Sequence, residues 1–420
     1  FSTMKNYSKE QAVKDIVAGV IVAIIALPLS IALALASGVE PACGVYTAIF
    51  AGFMVSFLGG SRVQIAGPTA AFAAVVAGIV ATQGMEGLII ATILAGVFLI
   101  LMGVFKLGSL IKFIPYTITT GFTAGIAVTI FIGQIKDFFG LQYADGVKPI
   151  ETIEKIEANI HAIGTFSWQA LLVGAVSLAI LIIYPKFEKK IPPSLIAVVV
   201  GALMVKFIPG LDNGVFTIGE LYTIPSGFPK FALTGMEFSF AKISAVLPDA
   251  FTIAILAAIE SLLSCVVADS MVNSRHNSNA ELVAQGVGNI ASVLFGGIPA
   301  TGAIARTAAN AKNGGRTPVA GMVHAVVLLL VLLFLMPLAG LIPMPTIAAI
   351  LFMVAYNMSE WRHFVAICKK APFYDIIVLV LTFVFTVIFD LVVAIAIGLA
   401  LHYAIVIIKK LLSKKASKEA

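Results

Sequence analysis

The sequence is poor in charge and in cysteine, and it lacks the signatures of the common enzyme classes; each shortage excludes something. Only 11% of its 420 residues are Asp, Glu, Lys or Arg, against about 25% in an ordinary soluble domain, so a normal water-facing surface cannot be built from it. Three cysteines, Cys43, Cys265 and Cys368, lie far apart with no CxxC pair, which excludes a disulfide framework or a thiolate metal site. They read as packing residues. His276 and His363 fall in expected cytoplasmic loops and His402 near the C-terminus, with no spacing for a metal. There is no HExxH, nucleophile elbow, P-loop or His/Cys cluster, so no enzyme, metal or cofactor is expected.

What the sequence has is apolar length. Hydrophobic residues make up 60% of it, and runs of about 20 apolar residues, enough to cross a core of roughly 30 Å, recur from Ala12 to Lys409. The formal net charge of +6 does not point to nucleic acid, because Lys and Arg cluster at the ends of these runs and not along one face. The start, Phe1 to Lys14, is polar and runs into the first span without a cleavage-site pattern, so that helix is expected to be retained.

Apolar runs between turn signals place spans at 12–37, 41–59, 68–83, 86–105, 115–136, 167–185 and 191–208, then at 245–268, 279–296, 302–313, 316–336, 338–357, 373–388 and 390–409. The expectation is an all-α polytopic membrane protein of fourteen segments. With both termini in the cytoplasm, Arg62, Lys106, Arg275, Lys312, Arg316, Arg362, Lys369, Lys370 and the tail lysines lie inside, as the positive-inside rule asks. An odd number of spans per half makes the halves an inverted repeat of seven plus seven, an architecture of secondary transporters. Residues 1–208 form the first repeat, 209–244 an extracytoplasmic linker, 245–410 the second repeat and 411–420 a basic cytoplasmic tail. Between spans five and six, Ile150, Ile153, Ile156 and Ile160 among charged residues suggest an amphipathic helix on the outer surface.

Spans three and ten begin with breaks. Gly59-Gly60-Ser61-Arg62-Val63-Gln64-Ile65-Ala66-Gly67-Pro68-Thr69 leads into one small-residue helix, and Gly296-Gly297-Ile298-Pro299-Ala300-Thr301-Gly302 leads, through Ala303, into another. Irregular backbone in a membrane must line a cavity or pack on protein, so a paired break at equivalent places points to a binding site. Two half-helix starts, each with unpaired N–H groups and about half a positive charge, favour an anion there. Thr69 and Thr301 would add hydroxyl donors; ordinary loop ends are the plainer reading. Glu260, mid-span in the eighth segment, is the most informative residue. A carboxyl at that depth costs about 3 kcal/mol and is a coupling or gating candidate, with Ser264 one turn on. Its plainer role is a helix–helix hydrogen bond.

Arg306, four residues after Gly302, either attracts the anion or holds the inner end of the pathway, with structural pairing to Glu260 or a cytoplasmic carbonyl as the alternative. Pro28 loosens span one and sets it opposite span eight, with Tyr46 and Phe72 as candidate cavity-wall residues, although aromatic core packing is commoner. Asp15 and Asp390, near span ends, read as capping or interfacial residues.

These residues carry a resemblance. Pro28 with 31–36, Val39-Glu40-Pro41 with Gly44-Val45-Tyr46, Gly67-Pro68-Thr69, Ile259-Glu260-Ser261-Leu262-Leu263, 277–288, and Pro299-Ala300-Thr301-Gly302 with Arg306 resemble, in order, motifs of the SulP (sulfate permease, solute carrier 26) family of anion transporters. The resemblance implies a core bundle of spans 1–4 and 8–11 moving against a gate bundle by alternating access. The anion, sulfate, bicarbonate, chloride or a dicarboxylate, lies between half-helices three and ten. It also implies a bacterial inner-membrane protein, a homodimer in lipid, and a C-terminal STAS domain that many members carry and this chain does not.

Sodium-coupled bicarbonate members are similar but look to carry an aspartate at the place of Glu260 and a threonine at the place of Ile304. An isoleucine offers sodium no oxygen, so a proton is favoured over Na+ as the coupling cation. A nucleobase transporter is the nearest rival fold, but it usually carries a second acid on the tenth helix where this chain has Arg306. A passive anion channel or exchanger would need no Glu260.

Overall fold

The computed structural model describes residues 7–109, 115–188, 191–225, 227–234 and 239–388, together with 394, 397–401 and 404. The expected fourteenth span, Asp390, His402 and the basic tail lie mainly or wholly outside the described residues. Helices dominate: α1 (Lys9–Ala36), α2 (Pro41–Leu58), α3 (Ala70–Val104), α4 (Tyr116–Phe139), α5 (Thr152–His161), α6 (Trp168–Ile183), α7 (Pro193–Phe207), α8 (Ile218–Leu221), α9 (Phe240–Ala245), α10 (Leu247–Val272), α11 (Ser278–Leu294), α12 (Ile304–Lys312), α13 (Val319–Phe334), α14 (Met336–Ala339), α15 (Met344–Ser359), α16 (Trp361–Lys370) and α17 (Phe373–Ile388). Among the described residues, α1, α2, α3, α4, α6 with its 3-10 extension to Lys186, and α10 are long and apolar enough to cross a membrane, while α7, α13 and α17 are shorter apolar helices. The chain is an integral membrane protein.

Local chemistry sets the ends. Ser8, Ser167 and Asn277 cap α1, α6 and α11 through their side chains, and Gly140, with φ 63°, ends α4 in the left-handed region. Element α3 holds two helical stretches that meet at Gly84, whose backbone is not helical (φ 69°, ψ −177°), between the expected spans three and four. Span twelve starts later than the hydropathy suggests, at Met344, because Gly340 and Ile342 are engaged by the linker: Ile218 N–H donates to Ile342 O and Gly219 N–H to Gly340 O, both at 2.9 Å, while Met344 N–H returns to Phe216 O at 2.8 Å. The linker also carries the short helices α8 and α9. His363 lies on α16, not in a loop, and His276 is partly buried against Asp269 (Nδ1 to Oδ2, 2.7 Å) rather than free in solvent.

The helices sort into two groups by what they touch. One contains α1, α2, α3, α10, α11, α12 and α13; the other contains α4, α6, α7, α15 and α17. Small residues allow the closest crossings, as helices in lipid require. Gly96 of α3 and Gly286 of α11 face each other so closely that a Cβ on either would strike the carbonyl oxygen of the other. In the second group Gly121 and Gly125 of α4 receive Leu379 and Thr386 of α17.

The departure from an all-helical chain is a two-stranded antiparallel ribbon. β1 (Ala66–Gly67) pairs with β2 (Thr301–Gly302), Ala66 opposite Gly302 and Gly67 opposite Thr301.

Candidate functional site

The ribbon unites the two breaks, because each strand is followed within a few residues by a helix start. Thr69 precedes α3 and Ala303 precedes α12, and neither start has a side-chain cap, so first-turn N–H groups are left without intrahelical partners. Ala303 N–H donates across the ribbon to Ile65 O at 2.8 Å, which sets the second start beside the first.

Glu260, on α10, reaches this place. Its Oε2 accepts the hydroxyl hydrogen of Thr69 at 2.9 Å, and the pair is only partly buried. Arg306, 3% exposed, donates from Nη2 to the carbonyl oxygen of Pro68. It forms no ion pair with Glu260 among the described residues; its partner is a carbonyl of the first break. Gly67 is needed beside it, since a Cβ there would strike Arg306 Nη1.

Other candidates sit differently. Thr301 is fully buried, and its hydroxyl is shared with Ser261 Oγ (2.7 Å) and lies 3.2 Å from the Ala257 carbonyl oxygen; it is tied into α10 and not free for an anion. Ser264 donates to Thr307 Oγ1 at 3.3 Å. Phe72, expected on a cavity wall, is 1% exposed and packed in the core. Tyr46 is almost buried, its ring near Gly296, and Pro28 is buried within α1. Ile304, at the first turn of α12, is 44% exposed.

The sequence reading missed the residues that hold the breaks in shape. Glu281, fully buried in the first turn of α11, accepts from Gly60 N–H (2.9 Å), Ser61 N–H (3.2 Å), Gln64 Nε2 (3.0 Å) and Gln285 Nε2 (3.1 Å). Thr307 Oγ1 accepts from Ile65 N–H at 3.0 Å, and Asn310 Nδ2 donates to Val63 O at 2.9 Å. Asn289 clamps both backbone groups of Ala300, each at 2.8 Å, and Thr47 Oγ1 accepts from Ile298 N–H at 2.8 Å. Asp15 accepts from the backbone of Arg316 and the hydroxyl of Thr317, at 2.8 and 2.6 Å, just before α13. A polar residue inside an apolar run was the available signal at 281, 285, 289 and 310, but its partners are more than 200 residues away for Gly60, Val63 and Gln64.

Comparison with known proteins gives a consistent result. The model of the sulfate permease family matches residues 13–382. The chain is 45% identical over 385 residues to "Putative sulfate transporter YvdB" of Bacillus subtilis (strain 168), covering 90% of this chain and 70% of that protein. It is 35% identical over 384 residues to the bicarbonate transporter BicA of Picosynechococcus sp., covering 87% of this chain and 66% of that one; it thus spans about two thirds of the length of these relatives. Among solved structures, the transmembrane domain of a cyanobacterium bicarbonate transporter BicA is similar with a TM-score of 0.81 and 30% identity, over 94% of this chain and 98% of that one. The inward-facing murine solute carrier 26 family member A9 anion transporter shares the fold, with a TM-score of 0.87 at 19% identity over 97% of this chain and 70% of that one.

Proposed function

The chain belongs to the sulfate permease family, whose members matched here are transporters and not enzymes, and from that premise we propose that it is a secondary active transporter of a small anion, sulfate, bicarbonate or a dicarboxylate, driven by protons through alternating access. The observation that carries the proposal is the ribbon: it brings two uncapped helix starts together beside Glu260. Converging N–H groups and helix dipoles supply a positive field for an anion without a fixed cation at its centre, and Arg306 adds charge from behind the Pro68 carbonyl.

Glu260 is the coupling group in this scheme. When protonated it can donate a hydrogen bond, and when ionised it repels an anion at the helix starts, so proton and anion are favoured together. The group holding both breaks is the moving core and the α4–α17 group the gate, across fourteen spans in a seven-plus-seven inverted repeat with both termini in the cytoplasm of a bacterial inner membrane. A sodium-coupled bicarbonate transporter is the second reading, favoured by the similarity to proteins named bicarbonate transporters. Ile304, half-exposed at the α12 start, opposes it, because that position offers no oxygen ligand.

The test is uptake of labelled sulfate, bicarbonate and fumarate into proteoliposomes under an imposed proton gradient and then a sodium gradient, with Glu260→Gln alongside. Proton-driven uptake of one anion, lost in the Gln variant, is expected. Sodium-driven uptake, or a Gln variant with intact proton drive, would overturn the coupling assignment.

A further inference from the structure

Three buried side chains beside β1 carry polar atoms that no group among the described residues meets: Ser56 Oγ on α2, Arg306 Nη1 on α12, and both ring nitrogens of His324 on α13. They converge on one short stretch of backbone. A Cβ on Gly52, one turn before Ser56, would lie 3.2 Å from the Ala66 carbonyl oxygen and 3.6 Å from His324 Nδ1. One on Gly321, a turn before His324, would strike Ser56 Oγ and lie 3.3 Å from Ile65 Cδ1, while one on Gly67 would strike Arg306 Nη1. Glycines therefore keep residues 65–67, the imidazole, the serine hydroxyl and the guanidinium in one neighbourhood, and Asn310 joins it through Val63 O.

An unpartnered polar group in an interior costs about 1–3 kcal/mol, and native proteins meet such groups with protein or with ordered water having about three polar partners. The donor inventory fits water. Arg306 Nη1 only donates, a neutral imidazole offers one donor and one acceptor, and a serine hydroxyl offers both. A water that accepts from Arg306 and donates to His324 satisfies Nη1 and the acceptor nitrogen of the ring, a second water can accept from the ring N–H, and the guanidinium charge opposes a metal cation in their place.

We infer that His324 is a positioning residue, joined to Arg306 through a buried water behind the first broken segment, and that it holds the guanidinium on the Pro68 carbonyl and so fixes the start of α3. His324 is 0% exposed and touches no transported species in this arrangement; it acts through Arg306. The effect on the anion rests on the transport function proposed above, whereas the effect on the backbone does not.

The experiment uses the full chain in lipid nanodiscs and in proteoliposomes with two variants. His324→Leu removes both polar ring atoms, and His324→Gln keeps a donor and an acceptor. Hydrogen–deuterium exchange of a peptide spanning 63–69 is expected to quicken about tenfold in the Leu variant and return close to the parent rate in the Gln variant. Sulfate or bicarbonate uptake, whichever the parent shows, is expected to rise several-fold in KM in the Leu variant with a smaller change in maximal rate, and Gln should rescue it. In an Arg306→Ala background His324→Leu should add nothing to exchange. Unchanged exchange in the Leu variant, or equal quickening in Leu and Gln, overturns the inference. Changed exchange with an unchanged KM overturns its extension to the anion, and a parent that takes up no sulfate, bicarbonate or fumarate sinks the transport reading while exchange still decides this one.

Discussion

The two broken segments are partners in one ribbon but are held by different chemistry. Residues 59–68 are anchored by charge: Glu281 receives the N–H groups of Gly60 and Ser61, and Arg306 grips Pro68. Residues 297–302 are held by neutral groups alone, Thr47, Asn289, Ser292 and Ser261. Their threonines diverge as well. Thr69 turns a hydroxyl to the half-buried Glu260, whereas Thr301 spends its own inside the protein. The two segments thus divide the labour: the first turns a hydroxyl to the Glu260 carboxyl, and the second packs behind it.

The largest effect that can test this division is on stability. Glu281→Ala leaves two backbone N–H groups and two glutamine amides without their charged acceptor, and bonds to charged groups are worth about 1.5–3 kcal/mol each, so a loss of roughly 3 kcal/mol or more is expected in thermal unfolding in detergent. Asn289→Ala removes two neutral bonds to Ala300 and should cost about 2 kcal/mol. A larger loss at Asn289 than at Glu281 would break the comparison.

The threonines sharpen it further. Thr69→Val is expected to cut proton-driven uptake several-fold with a stability change within about 1 kcal/mol, and Thr301→Val to lower stability by about 1 kcal/mol while proton drive persists. The reverse pattern would reassign the coupling face to the second segment.

The smallest effect lies outside both segments and serves as a control. Backbone N–H groups of Ile150 and Glu151 hold the Glu154 carboxyl below the usual carboxylate range in the capping box of α5. A group whose folded pKa is depressed stabilises above its unfolded value, and that contribution fades as pH falls through the folded one. Protection of the amides at the start of α5, taken relative to the intrinsic exchange rate at each pH, should therefore fall slightly between neutral pH and strongly acidic pH, and Glu154→Gln should flatten that response without altering residues 63–69.

The sequence made some of this legible. Apolar runs located the helices to within a few residues, and Gly67-Pro68 and Pro299 with Gly302 marked both breaks, because glycine and proline act locally. Glu260 stood out because a carboxyl in an apolar run has few reasons to be there. Glu281, Asn289 and His324 did not, since what they do depends on partners brought to them by the fold: Gly60, Ser61 and Gln64 from the other half of the chain for Glu281, and Ala300 beyond the end of its own helix for Asn289. Thr301 was ambiguous in the sequence: its hydroxyl is equally suited to an anion or to Ser261, and the fold turns it to Ser261 and the Ala257 carbonyl. The late start of α15 was hidden because hydropathy does not register that the linker has taken the carbonyls of Gly340 and Ile342 just before it.

That linker has a mechanical consequence. It is stitched at Phe216, Ile218 and Gly219 to residues 340–344 at the edge of the α4–α17 group, and Ala232 N–H is fastened at 2.8 Å to Leu294 O in the other group. The stretch from Gly219 to Ala232 is consequently a leash between two bodies. Under the alternating access proposed above, its contour length would cap the stroke between the two groups, and shortening this one surface loop is expected to slow uptake with every residue at the ribbon untouched.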